Sequence, residues 1–424
     1  MIKFLAKGLV RDRSRSLFPV LITSAGVMLT VVVFSWINGF LSDSISTTAK
    51  FDTGHVCIMS RAYAQDSDQM PNDLALLGVD KLMDTIKHDY PKMIWTPRIR
   101  FGGLLDIPDE EGETRAQGPF IGLGVDLLSE NTPEFDILNL KKGVMRGKLP
   151  SQPGEVLLSD EFALRLGVEI GETATIISST MYGGMALANF VVAGTVRFGI
   201  TAIDRSAMIA DIGDVREALN MENGAGEILG FFPDFFYSHP KAEALVKDFN
   251  SRYTNVEDEF SPVMGDLKEE SGMGDLLDFI GGYYSMVIVF FTVIMSIVLW
   301  NAGLMGSLRR YGEIGVRLAM GETKGHVYRS MLGESLLIGL AGSVFGTILG
   351  LSIAFLLQAY GVPVASMLKN ASMLFSDVMR ARVTIGSYFI GLIPGLAATI
   401  LGTSVAGIGI YRRQTSQLFK ELEV

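Results

Sequence analysis

Residues 17–40 read LFPVLITSAGVMLTVVVFSWINGF, 24 residues without one Asp, Glu, Lys or Arg. A helix rises about 1.5 Å per residue and must cover about 30 Å of hydrocarbon, so roughly 20 apolar residues complete a crossing. Three further runs meet that requirement: FIGGYYSMVIVFFTVIMSIVLWNAGLMGSL at 279–308, SLLIGLAGSVFGTILGLSIAFLLQAY at 335–360 and VTIGSYFIGLIPGLAATILGTSVAGIGIY at 383–411. Helices buried in soluble cores rarely stay uncharged over such lengths. The first run also exceeds the signal-peptide core of roughly 7–15 residues, and no small-x-small cleavage site follows Phe40, so it is expected to be a retained anchor. The chain reads as a membrane protein with four transmembrane α-helices.

Basic residues set the expected orientation. Lys3, Lys7, Arg11, Arg13 and Arg15 precede the first run. Arg309, Arg310, Arg317, Lys324 and Arg329 lie between the second and third, and Arg412, Arg413 and Lys420 follow the fourth. By the positive-inside rule these segments are cytoplasmic, so both termini are inside. The loop 361–382 then faces out, although Lys369, Arg380 and Arg382 run against that placement. So does everything between the first two runs.

The 424 residues include 36 Lys/Arg and 46 Asp/Glu, a net −10, and 48% are hydrophobic. A mean hydropathy of +0.33 excludes an ordinary soluble or disordered chain. The acidity argues against nucleic acid as the main partner, because phosphate neutralisation needs a basic footprint. The average conceals two parts: residues 46–275 carry 20 basic and 37 acidic residues, net −17, and the remainder 16 and 9, net +7.

The expected division is a cytoplasmic elbow at 1–16, spans at 17–42, 279–308, 335–360 and 383–411, and a large extracytoplasmic domain at 43–278. A cytoplasmic segment at 309–334, an outer loop at 361–382 and a cytoplasmic tail at 412–424 complete it. In the large domain, GHVCIM, TATIISST, FVVAGTV and SAMIAD are β-branched runs between glycines or polar residues, as strands are. DLALLGVDKLMDTIKH, SDEFALRLG, IGDVREALN and PKAEALVKDFNSRY have helical spacing. The interleaving predicts an α+β fold, with Asp106–Gly118 as an exposed loop.

No catalytic constellation emerges. His55, His88, His239 and His326 are scattered without ligand spacing, so no zinc site is expected. Asp109, Glu110, Glu111 and Glu113 lack the alternating pattern of a calcium loop. Cys57 is the single cysteine, which forbids an internal disulfide and predicts a buried free thiol. GVMRGKL has the wrong spacing for a phosphate loop. The chain is therefore expected to be no enzyme, with neither cofactor nor metal of its own.

The segment RRYGEIGVRLAMGETKGHVYRSMLGESLLIGLAGSVFGTILG, 309–350, resembles the corresponding segment of ABC transporter permeases of the MacB/FtsX-like superfamily (type VII). The matching positions are Glu313, Ile314, Gly315, Arg317, Ala319, Gly321, Glu334, Gly342, Gly346 and Gly350. PGEVLLSDEFALRLGVEIGETATI with the run after it is similar to the outer domain of that superfamily, and FLAKGLVRDRSRSLFPVLIT to its elbow. The tail YRRQTSQLFKELEV departs from the Pro-containing ending frequent in the family.

The resemblance implies a non-catalytic subunit of a bacterial cytoplasmic (inner) membrane transporter. ATP and Mg would be bound by a cytosolic ATPase dimer, and a second permease copy or paralogue would complete the assembly. Coupling would run through Arg309, Arg310, Glu313, Gly315, Arg317, Gly321, Glu322, Lys324 and His326, on a short amphipathic basic helix over 309–327. Gly342, Gly346 and Gly350 form a GxxxGxxxG ridge for close helix packing. Pro394 and Gly395 are expected to kink the last span.

Met28, Val32, Phe40, Tyr284, Val287 and Phe291 are candidates for a substrate path, and suit acyl chains and bilayer lipid equally. Within the superfamily the chain looks most like lipoprotein-releasing Lol-type permeases, which implies a lipoprotein or amphipathic substrate and an extracytoplasmic carrier or adaptor. The alternatives are MacB-like efflux of a peptide or small molecule, and FtsX-like regulation of a cell-wall hydrolase without transport.

Overall fold

The computed structural model describes residues 13–270, 274, 282–283, 286–298, 300–301, 316–364 and 376–412. Most of the expected elbow, much of 279–308, the loop residues 365–375 and the tail beyond 412 lie outside them. Two compact units form: a membrane unit of 1–42, 277–362 and 379–424, and an outer unit of 43–276 and 363–378.

The principal helices, in chain order, are α1 (Arg13–Thr48), α2 (Val79–Asp89), α3 (Asp160–Leu166), α4 (Ile212–Leu219), α5 (His239–Tyr253), α6 (Met286–Val298), α7 (Lys324–Tyr360) and α8 (Leu392–Arg412). Among the described residues, three helical stretches are long and apolar enough to cross a membrane: Leu17–Thr53, Lys324–Tyr360 and Ile385–Gly407. The expected second span is represented by the shorter apolar helix α6.

Small residues join the membrane unit. A Cβ added at Gly342, Gly346 or Gly350 of α7 would lie 2.6, 2.7 or 2.8 Å from the Cβ of Thr23, Val27 or Val31 of α1. Lipid is as apolar as the helices, so close van der Waals contact holds such seams together. The Ser24 hydroxyl adds a bond to the Gly342 carbonyl at 3.1 Å. The same stripe of α7 also meets α8, where a Cβ at Gly339 would lie 2.4 Å from the Thr399 hydroxyl oxygen. The last span is interrupted at Ile390–Gly391, so Pro394 falls in the first turn of α8, where no amide hydrogen is needed. The expected kink is thus a break N-terminal to the proline.

The outer unit is built on one ten-stranded sheet. Its strands are β1 (Val56–Ser60), β2 (Ile94–Pro108), β3 (Thr114–Val125), β4 (Val144–Gly147), β5 (Glu155–Ser159), β6 (Thr173–Ser179), β7 (Met185–Val196), β8 (Ala207–Asp211), β9 (Glu227–Phe231) and β10 (Pro262–Asp266). The pairings β2–β3–β8–β5–β7–β6–β2 return to their start, so six strands close into a ring. Closure leaves few free edges in that half of the sheet, at β4 and along Ile99–Gly103 of β2. Phe101, Leu105, Phe120, Phe162, Ile176, Phe190, Met208 and Val215 fill its core.

A second core lies where β10, β1, β9 and the first half of β2 meet α2 and α5, around Ile58, Ile86, Trp95, Ile228 and Phe249. β2 therefore serves both cores: Ile94–Arg98 pairs with β9 and Ile99–Pro108 with β3.

Two expectations change. Asp106–Gly118 is mostly the β2–β3 hairpin, and only its tip is a turn, where the Asp109 carboxylate accepts from the Glu111 and Glu113 amides at 2.9 Å each. The helix expected from Asp73 begins at Val79, because Gly78 takes a φ of +68° and Leu76–Leu77 pairs with Gly224–Ala225.

Candidate functional site

Two clusters stand out, one in each unit. In the membrane unit, the helical residues 316–319 end in a turn and α7 starts at Lys324. Gly321 has a φ of +91°, a conformation open mainly to glycine. Its amide donates to the Leu318 carbonyl at 3.1 Å, and the Glu322 amide to the Arg317 carbonyl at 3.1 Å, the pair of bonds that closes a helix C-terminus on a left-handed glycine. Thr323 then caps α7, its hydroxyl accepting from the His326 amide at 3.3 Å. Leu318 packs across the corner on Val327, as Met331 does from the same helix.

Within the described residues, the single helix expected over 309–327 is instead a helix, a corner and a second helix. Glu322 sits inside the corner, 3.8 Å from Arg317 and 3.4 Å from His326. Arg317, Gly321, Glu322, Lys324 and His326 are thereby gathered on one corner, whereas Arg309, Arg310, Glu313 and Gly315 lie outside the described residues. Composition alone did not single out Val316 and Met320, the latter 75% exposed, which give this polar corner an apolar knob.

In the outer unit, residues 43–53 arrive as the end of α1 and a π-helical turn, Ala49–Thr53, and run into β1. Two arginines of β2 grip this segment. Thr96, Arg98 and Arg100 alternate and so project from one face of the strand. The Arg98 guanidinium donates to the Lys50 carbonyl and, at 2.9 and 2.8 Å, to both oxygens of Glu134, which also accepts from the Thr96 hydroxyl at 2.7 Å. Arg100 donates to Asp52 at 2.6 Å and to Glu227. The side chains of Arg98, Glu134 and Glu227 are at most 2% exposed.

Burial pushes the Glu227 carboxyl up, against the pull of Arg100. Burial alone would lower Arg100, but Glu227 and Asp52 outweigh it and keep the guanidinium charged. The nearby Cys57 thiol is free, buried and raised well above its ordinary range by that burial.

A third fastening involves the turn after β7. Phe198 meets the ring of Phe51 edge-on at 5.3 Å. The Asp204 carboxylate accepts from the amides of Phe198, Gly199 and Ile200 at 2.8, 2.9 and 3.3 Å and so fixes the turn. Asp377 docks on it, accepting from the Thr201 amide and hydroxyl at 3.2 and 2.7 Å while its own amide donates to Gly199 at 2.8 Å. The segments that follow α1 and α7 in the chain thus converge on one turn. None of these groups pairs a nucleophile with a base, and among the described residues no three His, Cys, Asp or Glu are placed to hold a metal.

The described residues expected to line a substrate path lie on α1 and α6. Phe291 packs with Met295, Ala398 and Ile22. Met28, Val32, Phe40 and Val287 are half-buried along their helices, and Tyr284 lies outside the described residues.

No curated protein matches the chain in sequence. Among solved structures it is similar to the periplasmic region of MacB from Actinobacillus actinomycetemcomitans, at 14% identity and a TM-score of 0.34, over 53% of this chain and 92% of that one. At that distance the likeness carries no argument. Residues 285–415, however, match the family model described as FtsX-like permease C-terminal, which bears out the resemblance to MacB/FtsX-like permeases. The glycine seam of α7 and the corner before it lie inside this match, so the part of the chain that contains them is similar to the C-terminal domain of FtsX-like permeases.

Proposed function

We propose that the chain is the permease subunit of an ABC transporter in a bacterial inner membrane. It couples ATP hydrolysis by a separate cytosolic ATPase dimer to release of a lipoprotein or other amphipathic substrate from the outer leaflet. The observation that carries this reading is the FtsX-like permease match over 285–415, with an exposed, ion-paired corner inside it. Four spans with both termini cytoplasmic remain the best topology on the distribution of basic residues. That residues 363–378 belong to the outer unit supports putting this loop on the same side as the large domain.

In this mechanism the ATPase seats the 316–326 corner in a groove, Met320 providing apolar contact and Arg317 charge. Closure of the ATPase moves α1 and α7, and the motion reaches the sheet through Arg98, Arg100 and Asp377. ATP and Mg act in the partner chain. A second permease copy faces the first, and the substrate path follows α1 and α6.

The test is purification of the tagged chain from its native membranes. A stoichiometric ATPase should accompany the wild type and be lost, by more than about ten-fold, from Arg317→Glu with Met320→Asp, since a buried apolar anchor and its charge partner dominate such contacts. If the wild type comes out of the membrane with no ATPase, the coupling mechanism is wrong.

A further inference from the structure

One face of the outer sheet gathers more carboxylates than it can pair. Glu227 of β9 lies opposite Arg98 of β2, and Leu229 opposite Cys57 of β1, so Cys57, Glu227, Arg98 and Arg100 share that face. Two chain segments are laid over it. Residues 49–53 bring Asp52 from the end of α1, and residues 267–270, which follow β10 on the way to α6, bring Glu270. Glu270 folds back onto Gly265 of β10, its carboxylate taking the space that a Cβ would fill. A cavity of about 10 Å³ remains where the two segments meet, lined by Asp52, Asp68, Glu227, Glu270, Arg100 and Cys57 among others.

The charges around this cavity do not balance. Four carboxylates face one guanidinium, because Arg98 is spent on both oxygens of Glu134. Arg100 is itself divided between Asp52, at 2.6 Å, and Glu227 Oε1. Asp68 is exposed at the rim, whereas Glu270 is half-buried and has no ion-pair or hydrogen-bond partner among the described residues. Glu227 is 1% exposed, and its second oxygen, Oε2, meets neither water nor a donor. Negative charge is disfavoured on an oxygen closed off from both.

The other groups near the cavity do not correct the deficit. Asp266 and Glu269 add negative charge on the Glu270 side, Lys50 on the covering turn interacts with Asp43, and Tyr63 and Cys57 are held neutral by burial. His55 packs elsewhere, on Phe231, Phe232 and Tyr237. Burial pushes the Glu227 carboxyl up against the pull of Arg100, and burial with Glu269 and Glu227 pushes up that of Glu270.

We propose that Glu227 and Glu270 share one proton while both segments lie on the sheet, and release it to water when the segments lift. The bound proton keeps two carboxylates from repelling each other across the cavity, so the face is a latch that acid ties and alkali loosens. The closed form holds the proton and the open form, its carboxylates in water, does not. Opening therefore becomes easier as pH rises through the range where the closed form lets go. A buried neutral histidine has the opposite sign, loosening the fold on acidification, which separates this effect from that of His55. The latch stands whether or not an ATPase binds.

The test follows the full chain in lipid nanodiscs from about pH 5 to about pH 9, a span that covers ordinary and strongly raised carboxyls. At about pH 6, where ordinary carboxyls are ionised, infrared spectra should show a protonated-carboxyl C=O band that weakens in both Glu227→Gln and Glu270→Gln. Hydrogen exchange should report opening of residues 48–60, corrected for the intrinsic rate. Opening is expected to rise about ten-fold or more from about pH 6 to about pH 9 in the wild type, and less than about two-fold in Glu227→Gln. If Glu227→Gln does not fold, Glu270→Gln, at a half-buried position, carries the same comparison. A wild type without the band, a band that both variants retain in full, or opening that does not change with pH would each overturn the proposal.

Discussion

The two units are held by opposite means. In the membrane unit, α1, α7 and α8 meet through glycine, serine and threonine, and contacts are made by removing side chains. In the outer unit, the segment that continues α1 is fastened by adding charge: two arginines and three carboxylates, most of them buried. Each unit uses what its surroundings leave available. Between helices in lipid no hydrophobic gain distinguishes one partner from another, so shape decides. Where water borders the protein, apolar burial is available to every strand, and a forked guanidinium–carboxylate pair adds a fixed direction.

The contrast can be broken from the charged side first. Arg98→Ala leaves Glu134 buried and unpaired, an error that costs about 3–5 kcal/mol. Hydrogen exchange on the full chain should report loosening of residues 48–60 and of β2, with the α1–α7 seam unchanged. Loosening of both units together would mean that they are not energetically separable.

A second consequence concerns pH. His55 is 2% exposed, accepts from the Phe232 amide at 3.0 Å through Nδ1 and stacks on the Phe232 ring. Burial lowers its pKa to about 4, while the unfolded chain titrates at the ordinary value of 6.5. Above 6.5 neither state holds the proton. As pH falls from 6.5 towards 4 the unfolded chain binds it first, so the outer unit loses stability, by roughly 3 kcal/mol in all. His55→Gln should flatten that part of the profile in thermal unfolding. The glycine, serine, threonine and valine side of the α1–α7 seam carries no ionisable group and should not respond.

The smallest expected effect tests shape. A Cβ at Gly346 would come within 2.6 Å of the Ser24 carbonyl oxygen and 2.7 Å of the Val27 Cβ. Gly346→Leu should separate α1 from α7 at a cost of about 1–3 kcal/mol, the range for overpacking a close contact. Cross-linking between cysteines placed at Val20 and Ile338 would detect the separation as a lower yield. An unchanged yield would show that the seam is loose.

Much of this was legible in the residues. Uncharged length identified the apolar segments, because lipid imposes a length requirement and penalises charge wherever it falls. The GxxxGxxxG spacing identified the packing face of α7, since residues four apart share one side of a helix. β-branched runs identified β1, β6, β7 and β8. The longest strand, β2, and its hairpin partner β3 were not legible, because their glycines and prolines look like turn residues. Gly122 is there because a Cβ would come within 2.4 Å of the Phe101 ring across the ladder, a constraint set by the partner strand.

The Arg98–Glu134 and Arg100–Asp52–Glu227 pairs were likewise hidden. In sequence, Thr96, Arg98 and Arg100 alternate with apolar residues as the solvent face of a strand does, and only the arrival of residues 49–53 and 134 over that face turns it into an interior. Local composition fixes how long an element is and which side is apolar. What covers that side is decided by residues dozens or hundreds of positions away, and therefore by the tertiary structure alone.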